Sequence, residues 1–97
     1  MMARRDVQRY RSKGRIMADI LRAIRRDGEA KITHILYKAN LSYDRLVRYL
    51  DQLHESGLIE KIEEEERTFF KITPKGERFL SEFRRIEEFA EAFGIEI

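Results

Sequence analysis

The stretch "YKANLSYDRLVRYLDQLHESGLI", Tyr37 to Ile59, decides the fold, because it holds two helical patterns separated by the short break "ANLS". Before the break, Ile35, Leu36 and Ala39 make the apolar face of a short helix that Thr33 is placed to cap and that Asn40, tolerant of left-handed geometry, ends. After it, Ser42 caps a longer helix with Asp44 in the first turn, where the helix dipole favours negative charge. Leu46, Leu50 and Leu53 line one face of that helix. At about 100° per residue, Arg45, Arg48 and Gln52 fall together on the opposite side, with Tyr43 and Tyr49 at its two borders and Tyr43 nearer the leucines. Ser56-Gly57 ends the pattern. Two helices joined by so tight a corner form a helix-turn-helix, in which the first braces the second.

Upstream of the corner, Ile16, Ile20, Ala23 and Ile24 recur at helical spacing, Met17 and Leu21 widen the stripe, and Asp27-Gly28 stops a helix that begins at Ser12. Residues 1–11 are polar and basic, with Arg4, Arg5, Arg9 and Arg11 opposed only by Asp6, and read as an arm. Downstream, "GLIEKI" and "TFFKI" are β-prone runs on either side of the polar "EEEER", so they read as a hairpin. Leu58, Ile62, Phe70 and Ile72 are its apolar residues, placed to close the core under the three helices. "TPKGERFLSEFRRIEEFAEAFG" then opens with Thr73 as cap and Pro74 at the first helical position, and a fourth helix runs to about Phe93. Its Phe79, Phe83, Ile86, Ala90 and Phe93 step by four, three, four and three, the seam of a coiled coil, and Leu80 and Phe89 broaden it. That stripe is more apolar surface than one helix leaves in water, and it predicts a homodimer; the alternative is a helix that folds back over the first helix and buries the stripe within the monomer. The expected fold is α+β, mainly α: a winged helix-turn-helix of three helices and a β-hairpin wing over residues 12–73, then a dimerisation helix over 74–97.

Composition narrows the function. A chain of 97 residues is one domain, close to the lower limit for a self-sufficient core. Cysteine is absent, which removes disulfides, thiolate zinc sites and thiol nucleophiles and fits a reducing, cytoplasmic compartment. No apolar run approaches the ~20 residues of a membrane span, and the N-terminal stretch lacks the apolar segment of a signal peptide. The net charge of +2 conceals an asymmetry: residues 1–50 hold 13 Lys/Arg against 5 Asp/Glu, a balance of +8, and residues 51–97 hold 7 against 13, a balance of −6. A basic half attracts phosphate and an acidic half avoids it. A content of 39% charged residues is also what a heat-adapted protein shows. His34 and His54 are not spaced as a metal motif, and no Gly-rich phosphate loop occurs. No catalysis, cofactor or small-molecule substrate is therefore expected; His34 reads as a surface residue and His54 as a partly buried one.

The segments "ADILRAI", "ILYKANLSYDRLVRYLDQLHESGLI" and "FKITPKGERFL", in that order and spacing, carry a resemblance to the small archaeal winged-helix DNA-binding proteins. That group includes transcriptional regulators and chromatin proteins with a C-terminal coiled-coil helix. The resemblance covers roughly Ser12 to Phe93. It implies that the helix from Ser42 to Ser56 enters the major groove of double-stranded DNA, that the last helix pairs with its counterpart in a second subunit, and that the protein is nucleoid-associated and not an enzyme. Arg45 and Arg48 then meet base edges or flanking phosphates, with Gln52 one turn further along. Tyr43 and Tyr49 bond to phosphate or pack on sugar. Arg4, Arg5, Arg9, Arg11 and Lys13 supply backbone or minor-groove contacts.

The wing departs from that pattern. Relatives that grip DNA through the wing tend to carry Arg or Lys at its tip, whereas this chain has Glu63, Glu64, Glu65 and Glu66 before Arg67. Carboxylates beside phosphates are strongly repelled. Either the wing points away from DNA, its charge serving to blunt an exposed sheet edge, or the chain is a protein–protein interaction module that meets a basic partner through its acidic wing and C-terminal half.

Overall fold

Ser12 opens α1 (Lys13–Asp27): its hydroxyl accepts from the Arg15 N–H at 3.1 Å, and Arg25 and Arg26 lie in the last turn, where the dipole favours cations. Gly28 ends the helix at φ 81°, its N–H donating to the Ile24 carbonyl. The computed structural model describes residues 11–97, so Arg4, Arg5 and Arg9 of the basic arm lie outside the described residues. Ile16, Ala18, Ile20, Leu21 and Ile24 of α1 are all buried, and Ala18 has no counterpart in the expected stripe.

Ala30 and Phe70 exchange two backbone bonds of 2.8 Å, which fastens the α1 exit to the hairpin. α2 (Ile32–Ala39) starts immediately afterwards. Thr33, expected as its cap, is instead the second residue inside the helix; Lys31 holds the cap position and makes no side-chain cap bond. The bridge at Ala30 and the packing of Ile32 on the core fix the chain direction earlier than the cap signal suggests. Asn40 ends α2 in the left-handed region (φ 57°, ψ 53°), and Ser42 caps α3 (Tyr43–Glu55) by accepting from the Arg45 N–H at 3.3 Å. The predicted corner therefore forms at "ANLS".

β1 (Ile59–Glu64) and β2 (Arg67–Ile72) pair antiparallel with Ile59 opposite Ile72, Ile62 opposite Phe69 and Glu64 opposite Arg67. Only Glu65 and Glu66 form the loop, with Glu65 at φ 55°, so Glu63 and Glu64 belong to the strand and not to the tip. Side chains alternate across a strand. Ile59, Phe70 and Ile72 thus share the face that packs on the core, while Ile62, expected among them, pairs with Phe69 on the opposite face.

Thr73 caps α4 (Pro74–Ala92) by accepting from the Gly76 N–H at 3.1 Å, while its own hydroxyl donates to the Gly57 carbonyl at 2.6 Å. α4 runs back antiparallel along α1, with Arg25 on Glu77 at 3.3 Å near one end and Arg22 on Glu87 at 2.9 Å towards the other. Phe79 and Phe83 stack at 5.9 Å and pack on the core with Leu80.

Gly76, in the first turn of α4, has no room for a side chain: a Cβ there would sit 2.3 Å from the Leu58 carbonyl oxygen and 2.7 Å from Ile72 Cγ1. Alanine gains about 1 kcal/mol in helix propensity, but the backbone oxygen cannot yield as a side chain would, and overpacking of this kind costs about 3 kcal/mol. Gly76→Ala is expected to lower the urea-unfolding free energy by about 2 kcal/mol net; an unchanged or raised midpoint would show that the α4 entry relaxes.

Candidate nucleic-acid interface

Leu46, Leu50 and Leu53 anchor α3 to the core, so the rest of the helix is turned outward by that anchoring alone. Arg45, Arg48 and Gln52 are exposed. With Lys13 from the first turn of α1 and with Tyr49, they line one shallow groove, joined by Asp51 and Glu55 one to two turns beyond Arg48. Two cations from α3 and one from α1, residues more than thirty positions apart, thus share a surface with hydrogen-bonding side chains among them.

The two tyrosines exchange the roles expected of them. Tyr43 is 57% exposed, whereas Tyr49 is half-buried against the core. The reason is position along the helix: Tyr43 is the first residue of α3, before the leucine face begins, whereas Tyr49 lies between Leu46 and Leu53 along it. Tyr43 lies on the wing side of α3, in a second groove with Val47, Asp51, His54, Lys61 and Thr68 over an apolar floor that includes Leu50 and Phe70. His54, expected to be partly buried, is exposed there. His34 is on the surface, with Nδ1 at 2.6 Å from an Asp27 carboxylate oxygen. Tyr37 on α2 is 82% exposed beside exposed Lys38. A tyrosine outside the α2 stripe is the one signal of this pair in the sequence.

Lys13 shares the α3 groove, but Arg11 does not face outward with it. Its guanidinium is held by Asp19 at 2.7 Å and by the carbonyls at the end of α2. Along α1, Arg15, Arg22 and Arg25 pair with Glu87 and Glu77 of α4. Part of the basic excess of the N-terminal half is therefore paired within the fold, while Arg26, Lys31 and Lys38 stay exposed elsewhere and Lys13, Arg45 and Arg48 gather at the α3 groove. The wing presents exposed Glu60, Glu63, Glu64, Glu65 and Glu66, none of which lines that groove.

The seam predicted on α4 divides. Phe79, Leu80 and Phe83 are packed on the core of the same chain. Ala90 is buried where the chain turns back after Gly94 and the Ile95 N–H donates to the Ala90 carbonyl at 2.8 Å. Ile86, Phe89 and Phe93 stay 53%, 66% and 66% exposed, with the Phe89 and Phe93 rings 5.0 Å apart.

A helix-turn-helix followed by a two-stranded hairpin packed on the same core defines a winged-helix module. Residues 10–91 match the family model described as winged helix-turn-helix, and the chain belongs to that family. Among solved structures it is similar to Sso10a-2, a DNA-binding protein from Sulfolobus solfataricus, at 30% identity over 86% of this chain and 85% of that one, with a TM-score of 0.78. The fold is shared with the transcriptional regulator BldR from Sulfolobus solfataricus (19% identity, TM-score 0.63) and with MarR from E. coli (17% identity, TM-score 0.65). Each alignment with those two regulators covers 78% of this chain but only 60% of theirs. The comparison with curated proteins gives no match. Among the described residues, no helix is long and apolar enough to cross a membrane.

The groove depends on the start of α3, and the Ser42 hydroxyl is what holds that first turn closed. Ser42→Ala is expected to cost about 1 kcal/mol of stability and to raise amide hydrogen exchange at Asp44 and Arg45 beyond the global change. Exchange that rises uniformly through the molecule would show that the cap has no local role.

Proposed function

We propose that this protein binds double-stranded DNA as a homodimer, laying α3 in the major groove, and that it acts without catalysis as a transcriptional regulator or an architectural protein of the nucleoid. The observation that carries this reading is the convergence of Lys13, Arg45, Arg48 and Gln52 on one outward groove of a winged-helix scaffold. Arg45 and Arg48 lie in the first half of α3, the part that docking geometry brings to base edges. The description of Sso10a-2 as a DNA-binding protein, at 30% identity, supports it. None of the wing glutamates lines the groove of Lys13, Arg45 and Arg48, and the wing residues that share a groove with α3, on its Tyr43 side, are Lys61, Thr68 and Phe70.

The dimer rests on Ile86, Phe89 and Phe93, spaced by three and four on the face of α4 that the chain does not cover for itself. A two-fold pair places two copies of α3 in successive major grooves ~34 Å apart, which favours pseudo-palindromic sites and raises the affinity of a small reader. A second reading, an interaction module for a basic protein partner, is favoured by one feature, the exposed run of wing glutamates. The two readings separate on the arginines.

Arg45→Ala and Arg48→Ala are each expected to weaken duplex binding by about 1–3 kcal/mol where the side chain makes a bidentate base contact. Fluorescence anisotropy with a labelled duplex measures this. An unchanged affinity in the folded double variant would remove DNA as the ligand of this face.

Replacing Ile86 and Phe89 by Glu is expected to split the dimer without unfolding the chain, because both side chains are exposed within the subunit. The same change at Phe83 is expected to unfold it, since that ring packs on the core. Sedimentation equilibrium at micromolar concentration reads the result. A monomeric wild type would refute the dimer, and a dimeric Ile86/Phe89 variant would place the interface elsewhere.

A further inference from the structure

Arg11 differs from a DNA-facing arginine in what its guanidinium does. Nη1 donates to Asp19 Oδ2 at 2.7 Å, and Nη2 donates to the carbonyls of Ala39 at 2.9 Å and Asn40 at 3.3 Å. Those carbonyls belong to the unsatisfied acceptors that every helix leaves at its C-terminus, and they sit at the left-handed corner from which α3 departs. Asp19 is in turn held from its other side: Oδ1 accepts from Arg22 Nη1 at 3.3 Å, and Arg22 Nη2 donates to Glu87 of α4 at 2.9 Å. The Arg11 and Asp19 side chains are only 24% and 26% exposed, so solvent screens this pair less than an open surface pair. The planar fork of arginine suits such a bridge, bonding a carboxylate with one nitrogen and carbonyls with the other.

We propose that Arg11 and Asp19 form a clamp that positions α3, fixing the α2–α3 corner to α1 so that the DNA-facing groove keeps its aim. Arg11 is a positioning residue here and does not itself touch phosphate. Its effect on DNA affinity rests on the DNA-binding reading above, whereas the clamp itself belongs to the free protein. Asp19→Asn is the informative change, because electrostatics alone and the clamp predict opposite signs. Removing a carboxylate beside a basic surface strengthens the attraction of DNA; loosening the corner weakens binding.

The experiment pairs two measurements on the full chain carrying Asp19→Asn, Arg11→Lys or Arg11→Gln. In the DNA-free protein, amide hydrogen exchange at Leu41 to Leu46 is expected to rise about tenfold in all three variants, the size of one hydrogen bond to a charged group, while exchange in β1 and β2 is unchanged. Duplex affinity, normalised to the active fraction by stoichiometric titration, is expected to fall in Asp19→Asn and Arg11→Lys with the salt dependence of wild type. Corner exchange that stays at the wild-type level in Asp19→Asn overturns the clamp. Full affinity in Arg11→Lys, together with a salt slope smaller by about one in Arg11→Gln, overturns it in favour of a phosphate contact. Faster corner exchange with equal or tighter DNA binding overturns the positioning role. Faster corner exchange in a protein whose wild type binds no duplex supports the clamp and refutes the DNA reading.

Discussion

The burial of α1 is the constraint on which the other elements depend. Ile20, Leu21 and Ile24 are fully excluded from water, with α2 against one part of the helix, α4 against another, and Phe70 of the hairpin joined to the residue just beyond its end. Interiors are close-packed, so a helix covered in this way cannot shift without moving its neighbours. The three leucines of α3 enter the same core, and the polar side chains of α3 lie on its reverse. The aim of the groove is therefore set by apolar packing on the far side of the helix.

Charge in this protein is organised by contact more than by position in the chain. The +8 and −6 halves of the sequence meet along the α1–α4 junction, where Arg15, Arg22 and Arg25 face Glu77 and Glu87. These pairs are partly exposed, and pairs of that kind contribute at most about 1 kcal/mol each; their larger consequence is that Arg15, Arg22 and Arg25 are engaged by α4 carboxylates, while Arg26 stays exposed without such a partner among the described residues. Lys13, Arg45 and Arg48 line one groove of α3, and the carboxylates of the wing do not enter it.

Local chemistry was legible in the sequence wherever it was strong. Ser12, Ser42 and Thr73-Pro74 mark helix starts at the places where their hydroxyls cap, and Asn40 turns the corner. The hairpin was visible in its two β-prone runs, although its tip was drawn too wide because strand pairing continues through polar Glu63 and Glu64. What periodicity could not provide was the partner of each face. It identified the α4 stripe but not its division into Phe79, Leu80 and Phe83 against the core and Ile86, Phe89 and Phe93 in solvent. Nor could it bring Arg22 to Glu87 or Arg11 to the end of α2, because those contacts join residues 65 and 28 apart in the chain. The closed space at Gly76 is equally invisible in one dimension, since a glycine in a first helical turn carries no sign of the carbonyl above it.

The central claim is that DNA meets the Lys13, Arg45 and Arg48 side of α3 and not the wing. Backbone amide NMR of the labelled protein, titrated with a duplex of about two helical turns, tests it most directly. The account predicts that chemical-shift changes concentrate on Lys13 and on Tyr43 to Tyr49, while Glu63 to Glu66 keep their free positions. Changes centred on the wing, or a spectrum unaltered at saturating duplex, would contradict it.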